Sequence, residues 1–347
     1  MSTETSTGRE AAPGSRGKRV RVTDVVEETA DARSFVVEPV GDAAFGYRAG
    51  QFLTVRVPDA GTGSARCYSL SSSPHSDQAM KFTVKRVRGG HGSNWLCDTV
   101  SAGDELDVLP PAGTFTPASL DQPVVLVAGG SGITPVIAIA KSILFGGSGN
   151  VVLIYANRDE ASVIFAGELA ALESKFPDRF TVIHLLESLQ GYPGRNLLTV
   201  LLRPFAGRDV YLCGPEPLMD LAADVCAGIP GTRVHSERFL SLQQDPFADD
   251  PETGTGEVAC TVAVSLDGDD HVVPWNAGQK LLDALLAAGV DAPYSCREGA
   301  CSACVCALTS GKVNLARNEI LTEDDLADGY VLACQAEPVS DEIAVEY

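Results

Sequence analysis

Cys296, Cys301, Cys304 and Cys334 are spaced C-x4-C-x2-C, with 29 residues before the last. This is the spacing that holds a [2Fe-2S] cluster of the plant type, whose chemistry is one-electron transfer. Three thiolates on one short loop, CREGACSAC from Cys296 to Cys304, can enclose two irons while backbone amides point at the sulfurs. Cys334 in VLACQ supplies the fourth from elsewhere in the fold. A structural zinc site is the competing use of four cysteines, but zinc motifs commonly pair two short C-x2-C knuckles, and here three cysteines crowd one loop. Cys306, two residues past Cys304, would point the same way on an extended strand and so competes as a ligand.

A second group of residues suits a flavin. RCYSLSSSP, Arg66 to Pro74, puts a cation, an aromatic ring and hydroxyls at the end of a predicted strand. Arg66 could neutralise a phosphate, Tyr68 could lie against the isoalloxazine or ribityl chain, and Ser69 could hydrogen-bond flavin N5 and steer hydride arrival. The plainer alternative is a strand end with a surface arginine. KFTVKRVRGGHGSNWL, Lys81 to Leu96, then joins a strand to a glycine-rich turn that opens a helix. Free amides at such a start, here those of Gly92 and Ser93, bind pyrophosphate, with Val84 and Lys85 lining the adjacent strand. A flexible loop with a capping serine is the alternative.

A third group suits a nicotinamide dinucleotide. VVLVAGGSGITPV, Val124 to Val136, ends a strand in glycines and feeds a helix, so a dinucleotide can approach the backbone at the carboxyl edge of a sheet. Thr134 either caps that helix or sits beside the nicotinamide. CGPEPLM, Cys213 to Met219, again ends a strand and opens a helix, with Cys213 either near the hydride path or simply a buried small residue. Arg158 in YANRDEASVIF follows the next strand, where it either binds a 2′-phosphate and favours NADPH or pairs with a carboxylate or pyrophosphate.

The 347-residue chain is long enough for two or three domains, and 45% apolar residues suffice for buried cores. Residues 1–18 read as a disordered polar tail. Short strands broken by Gly, Pro and Asp over 19–120 imply an antiparallel β-barrel, and strands alternating with helices over 121–239 imply a parallel α/β sheet. Residues 240–257 form a polar linker, and 258–347 carry a hairpin, a short helix and the cysteine loop. No apolar run reaches bilayer length, no signal peptide opens the chain, and the cysteines outside the four occur singly, all of which fits a reducing cytoplasm. The formal charge of −20 argues against nucleic acid. The last 90 residues hold 15 acidic and 4 basic side chains. This asymmetry serves either solubility or docking of a basic redox partner.

RCYSL, GSGITP, CGPEPLM and CREGACSAC in this order resemble the ferredoxin-NADP reductase-like flavoproteins fused to a plant-type ferredoxin, the reductase components of multicomponent oxygenases. ARCYSL, SNWLCD, YANRD, SVIF, LESLQG, SCREG and GKVN are most similar to the branch that serves a steroid-hydroxylating Rieske non-haem iron oxygenase, with the phenylacetyl-CoA epoxidase reductase more distant. The resemblance implies a β-grasp ferredoxin domain of the α+β class at the C-terminus. It also implies FAD held at Arg66, Tyr68, Ser69, Lys85, Gly92 and Ser93, with nicotinamide contacts at Thr134, Cys213 and Gly214. Phe239 in SERF occupies the place of an aromatic that covers the flavin, and Ser302 stands where the family leads one to expect glycine. The implied activity is NADH oxidation, with NADPH as the other donor, and electrons passing through FAD and [2Fe-2S] to a terminal oxygenase. Two other classes, a redox sensor without catalysis and a self-contained flavin oxidoreductase, predict respectively no donor-driven reduction and turnover without a second protein.

Overall fold

A computed structural model of the chain describes residues 17–41, 45–58, 64–239, 242, 245–247, 257–266 and 268–347. The expected tail and most of the expected linker lie outside these. Six strands, β1 (Lys18–Thr29), β2 (Ala32–Pro39), β3 (Phe52–Val57), β4 (Ser64–Ser69), β5 (Met80–Lys85) and β6 (Glu105–Ala112), form an antiparallel sheet in the order β4-β3-β6-β1-β2-β5. Alternation sends Val20, Val22, Phe35, Val37, Leu53 and Val55 inward. A bridge between Leu70 and Phe82 brings the two edge strands together, so the sheet curls into a barrel. Helix α1 (His91–Thr99) covers it through Leu96 and Cys97.

The next sheet is parallel, with β7 (Val124–Gly129), β8 (Val151–Asn157), β9 (Phe180–Leu186), β10 (Asp209–Cys213) and β11 (Arg233–Glu237) in the order β11-β10-β7-β8-β9. Every residue of β7 is buried because helices cover both faces. Those helices are α2 (Ile133–Gly146), α3 (Ala166–Lys175), α4 (Glu187–Gln190), α5 (Arg195–Leu202) and α6 (Glu216–Ala227). Helix α2 is apolar almost all round since it lies between sheet and barrel; its core includes Ala32, Ala49 and Phe115 from the barrel region.

The C-terminal sheet mixes directions: β12 (Val258–Leu266) pairs antiparallel with β13 (Asp269–Asn276) and parallel with β18 (Glu342–Glu346). Outward from β18 lie β14 (Val305–Ser310) and β16 (Tyr330–Leu332), and β15 (Val313–Leu315) pairs with β17 (Ala336–Pro338) in a small ribbon. Helix α7 (Leu281–Ala287) packs Leu281, Leu282 and Leu285 onto this sheet around Trp275, as in a β-grasp, and α8 (Glu323–Ala327) precedes β16. No helix of the described residues is long and apolar enough to cross a membrane.

Candidate functional site

The barrel strand β4 sends alternate side chains to two places. Arg66 and Tyr68 face the start of α1: a methyl built on Gly92 would lie 3.0 Å from Arg66 Cγ and 3.4 Å from Tyr68 Oη. Only glycine leaves this cradle open. Helix α1 starts at Gly90 without a side-chain cap, so its first-turn amides, including those of Gly92 and Ser93, keep no acceptor within the helix. The Ser93 hydroxyl does not cap; it accepts the Val87 amide at 3.1 Å. Tyr68 stacks on Phe82 at 5.8 Å, and burial holds its phenol un-ionised. This set fits the ribityl and pyrophosphate of a flavin. Val84 departs from expectation: its side chain is in the barrel core, so only its backbone is left for a ligand. Lys85, next to it, points instead toward Asp31 at 3.8 Å and toward Gly130 of the glycine loop.

Two strand ends of the parallel sheet meet backbone to backbone. A methyl on Gly132 would fall 2.0 Å from the Cys213 carbonyl oxygen, and one on Gly214 would fall 2.8 Å from the Gly129 nitrogen. The two turns can therefore lie against each other, and bring their backbones to one edge of the sheet, only because both carry glycine. Thr134 is not the helix cap; Gly132 precedes the helix, and the Thr134 hydroxyl donates to the Ser131 carbonyl at 3.1 Å. Cys213 ends β10 in register with Ala128 and Glu237, and burial first, then the Glu237 carboxylate, push its thiol well up. Arg158, exposed just past β8, lies 3.4 Å from Asp31. Asn157, which the sequence reading passed over, is buried at the same strand end. It lies near enough to the Tyr155 phenol to act on it, yet neither of its amide atoms meets hydrogen-bond geometry. An orphaned amide at this edge suits a dinucleotide.

The four cysteines of the C-terminal domain converge. Their sulfurs form a chain of neighbours from Cys301 to Cys296 to Cys334 to Cys304. Four thiols brought together in this way, three from one loop and one from the return at Cys334, fit a [2Fe-2S] cluster of the plant type. Amides of Glu298 and Ala300 donate to Cys296 Sγ at 3.3 and 3.4 Å, the Cys334 amide donates to Cys304 Sγ at 3.5 Å, and Gln335 Nε2 donates to Cys334 Sγ at 3.6 Å. Cys296 is the thiol pushed toward ionisation, first by Cys301, then by Cys334, and by the two amides, against burial. The same neighbours push the Cys301 and Cys334 thiols the other way, Cys296 foremost, whereas metal ligation takes all four as thiolates. Cys306 is turned toward Tyr347 instead. Ser302 sits in the left-handed region, φ 54°, which explains why glycine is expected there.

The three modules meet at one cleft lined by Phe52, Cys67, Ser69, Glu237, Arg238, Phe239, Leu242, Ala300 and Cys301. Ser69 from the barrel and Phe239 from the end of the parallel sheet thus stand beside the cluster loop. Glu237, another residue the sequence reading missed, has a carboxyl that burial raises to about 8. Its only sequence signal was its place in SERF, beside the expected aromatic.

Family comparison agrees module by module. Residues 19–116 match the oxidoreductase FAD-binding domain, 126–224 the oxidoreductase NAD-binding domain and 264–339 the 2Fe-2S iron-sulfur cluster binding domain. The ferredoxin reductase component of 3-ketosteroid-9-alpha-monooxygenase from Rhodococcus rhodochrous is 50% identical over 96% of this chain and 98% of its own length. The chain belongs to the flavin and iron–sulfur reductases of multicomponent oxygenases. One component of the 1,2-phenylacetyl-CoA epoxidase of Escherichia coli is 31% identical over 94% of this chain and 96% of its own length. Phthalate dioxygenase reductase, a solved modular structure for electron transfer from pyridine nucleotides to [2Fe-2S], superposes with a TM-score of 0.59 at 27% identity, covering 95% of this chain and 98% of that one. This reductase therefore takes FAD, a [2Fe-2S] cluster and NADH, and passes electrons to a terminal oxygenase.

Proposed function

We propose that this reductase serves a Rieske-type oxygenase that hydroxylates a steroid ring, with NADH as its donor. The cleft shared by Ser69, Phe239, Glu237 and Cys301 carries the electron-transfer reading, because it brings hydride entry and cluster together in one place. The steroid assignment rests on the Rhodococcus relative. When bound, FAD accepts two electrons as hydride and releases them singly, and the cluster takes them one at a time. Arg66 and the Gly92 and Ser93 amides would hold the flavin phosphates, Tyr68 would support its ring system, Ser69 would serve N5 as a hydrogen-bond partner, and Phe239 would cover the ring. Gly132, Thr134, Cys213 and Gly214 set the nicotinamide against that ring by close approach rather than by charge. No proton donor is required of them.

Arg158 bears on the choice of donor. Asp31 already engages its guanidinium and lies near Lys85, so a 2′-phosphate would have to displace a carboxylate, which favours NADH. The ten cysteines, all free thiols, fit a reducing compartment, and we place the protein in the cytoplasm. Anaerobic titration followed by visible absorbance tests the reading. NADH bleaches both flavin and cluster bands at stoichiometric amounts, whereas NADPH requires a large excess; no bleaching by either donor defeats the assignment.

A further inference from the structure

The barrel face that meets the cluster loop is unusual for a barrel exterior. Phe52, Thr54 and Arg56 alternate with the inward Leu53 and Val55, so all three should face water. Instead Phe52 and Thr54 are buried, because Phe52, Ala65, Ala112 and Leu242 pack against Cys296, Ala300, Cys301 and Ala303. Within this apolar contact lies one direct pair of hydroxyls, Thr54 Oγ1 and Ser295 Oγ, 2.5 Å apart and 241 residues apart in sequence. Ser295 immediately precedes Cys296. Cys67 Sγ stands 3.5 Å from Thr54 Oγ1 and 3.8 Å from Ser295 Oγ, completing a small polar knot. At the rim, Arg56 reaches Asp245 at 3.5 Å.

We propose that Thr54 is a positioning residue for internal electron transfer, a latch that holds the Cys296–Cys304 loop on the flavin barrel in a state that receives electrons but hides the cluster from an outside acceptor. The inference rests on the reductase reading above. Hiding follows from burial: Cys296, Ala300, Cys301, Ser302, Ala303 and Cys304 are each at most 9% exposed. One short hydroxyl pair, backed by the longer Cys67 contact, fixes one register inside a modest apolar contact, yet it is weak enough to be broken for each electron passed on. One electron crosses from the reduced flavin to the oxidised cluster while the latch is closed, and that electron leaves to the acceptor when it is open. Each hydride therefore supports two closures, and no covalent bond forms or breaks in the latch step.

Thr54→Val keeps the shape and the β-branch of the side chain and deletes the hydroxyl, leaving Ser295 with only the Cys67 sulfur at 3.8 Å. The holoprotein is mixed anaerobically with NADH in a stopped-flow instrument, and amide hydrogen exchange of residues 295–303 is followed separately. In the variant the flavin-reduction phase stays within about twofold of wild type, the following flavin-to-cluster phase slows several-fold, and loop amides exchange about tenfold faster. Transfer from the reduced cluster to ferricyanide does not slow, and Thr54→Ser restores the wild-type behaviour in every readout. An unchanged flavin-to-cluster phase with unchanged exchange overturns the latch, as does an equal slowing of internal and outward transfer, the mark of general damage. Wild-type protein that NADH fails to bleach overturns the reductase reading instead, so the two failures are distinct.

Discussion

Cys334 and Cys306 are both buried thiols close to Cys304, and only their surroundings tell them apart. Cys334 receives the Gln335 side chain on its sulfur and adjoins Cys296 and Cys304, while Cys306 faces Tyr347. Cys334→Ser should therefore abolish the cluster's visible absorbance and its reduced-state paramagnetic signal, whereas Cys306→Ser should keep both. Retention of the cluster by the first variant, or its loss in the second, would reassign the ligands. Spacing alone singled out the four candidate ligands, since a [2Fe-2S] centre demands a tight loop plus one return. It left Cys306 open, because strand periodicity gives direction and not neighbours. Spacing also said nothing of Asn157 or Glu237, one buried and one half-buried, whose significance comes from their place at strand ends that lie far apart in sequence.

At the level of elements, the glycines that end β7 and open the turn after β10 decide how close two strand ends come. Gly132 has an ordinary helical backbone, φ −62°, so its need is for space and not for conformation. A Cβ 2.0 Å from the Cys213 carbonyl cannot be accommodated without parting the turns. Gly132→Ala should raise the KM for NADH at least tenfold while the purified protein keeps its flavin, read by steady-state kinetics and the flavin absorbance of the desalted sample. Equal loss of flavin would show instead that the barrel had been disturbed. The strands and helices of this region were plain in the sequence because apolar runs end in glycine and resume with helical spacing. Helix α5 was not, having eight residues of which only Leu198 and Leu202 are buried, and neither was β11, a half-exposed edge strand of mostly polar residues.

The whole molecule is joined by contacts that no local pattern announces. Lys141 on α2 is almost fully buried, with Asp77 of the barrel region 3.0 Å away and Glu168 of α3 2.8 Å away, and Lys81 also reaches Glu168 at 3.2 Å. Nearby, Ser73 and Ser142 hydroxyls lie 2.7 Å apart. Burial would raise the Asp77 carboxyl, but Lys141, the Ser73 amide and the Ser76 hydroxyl outweigh it and hold it below its ordinary value of 3.8. A depressed folded pKa stabilises the fold above the unfolded value, and that contribution is lost as pH falls through the folded one. Lys141→Met should cost about 1–3 kcal/mol at pH 7, since it takes the cation from the half-buried Asp77 and leaves Glu168 with Lys81 alone. It should also flatten the acid limb of stability below about pH 4, because burial then favours the protonated form. Urea unfolding across pH measures both, and an unchanged acid limb would rule the pair out as the cause. The order of modules was thus readable from motifs, while their mutual seating, through Lys141 on one side and Thr54 on the other, was not. That seating brings the flavin barrel and the electron-exit domain together on one polypeptide. Their meeting is then a first-order event governed by a local concentration in the millimolar range, indifferent to dilution. Only the encounter with the oxygenase answers to how much protein the cell makes.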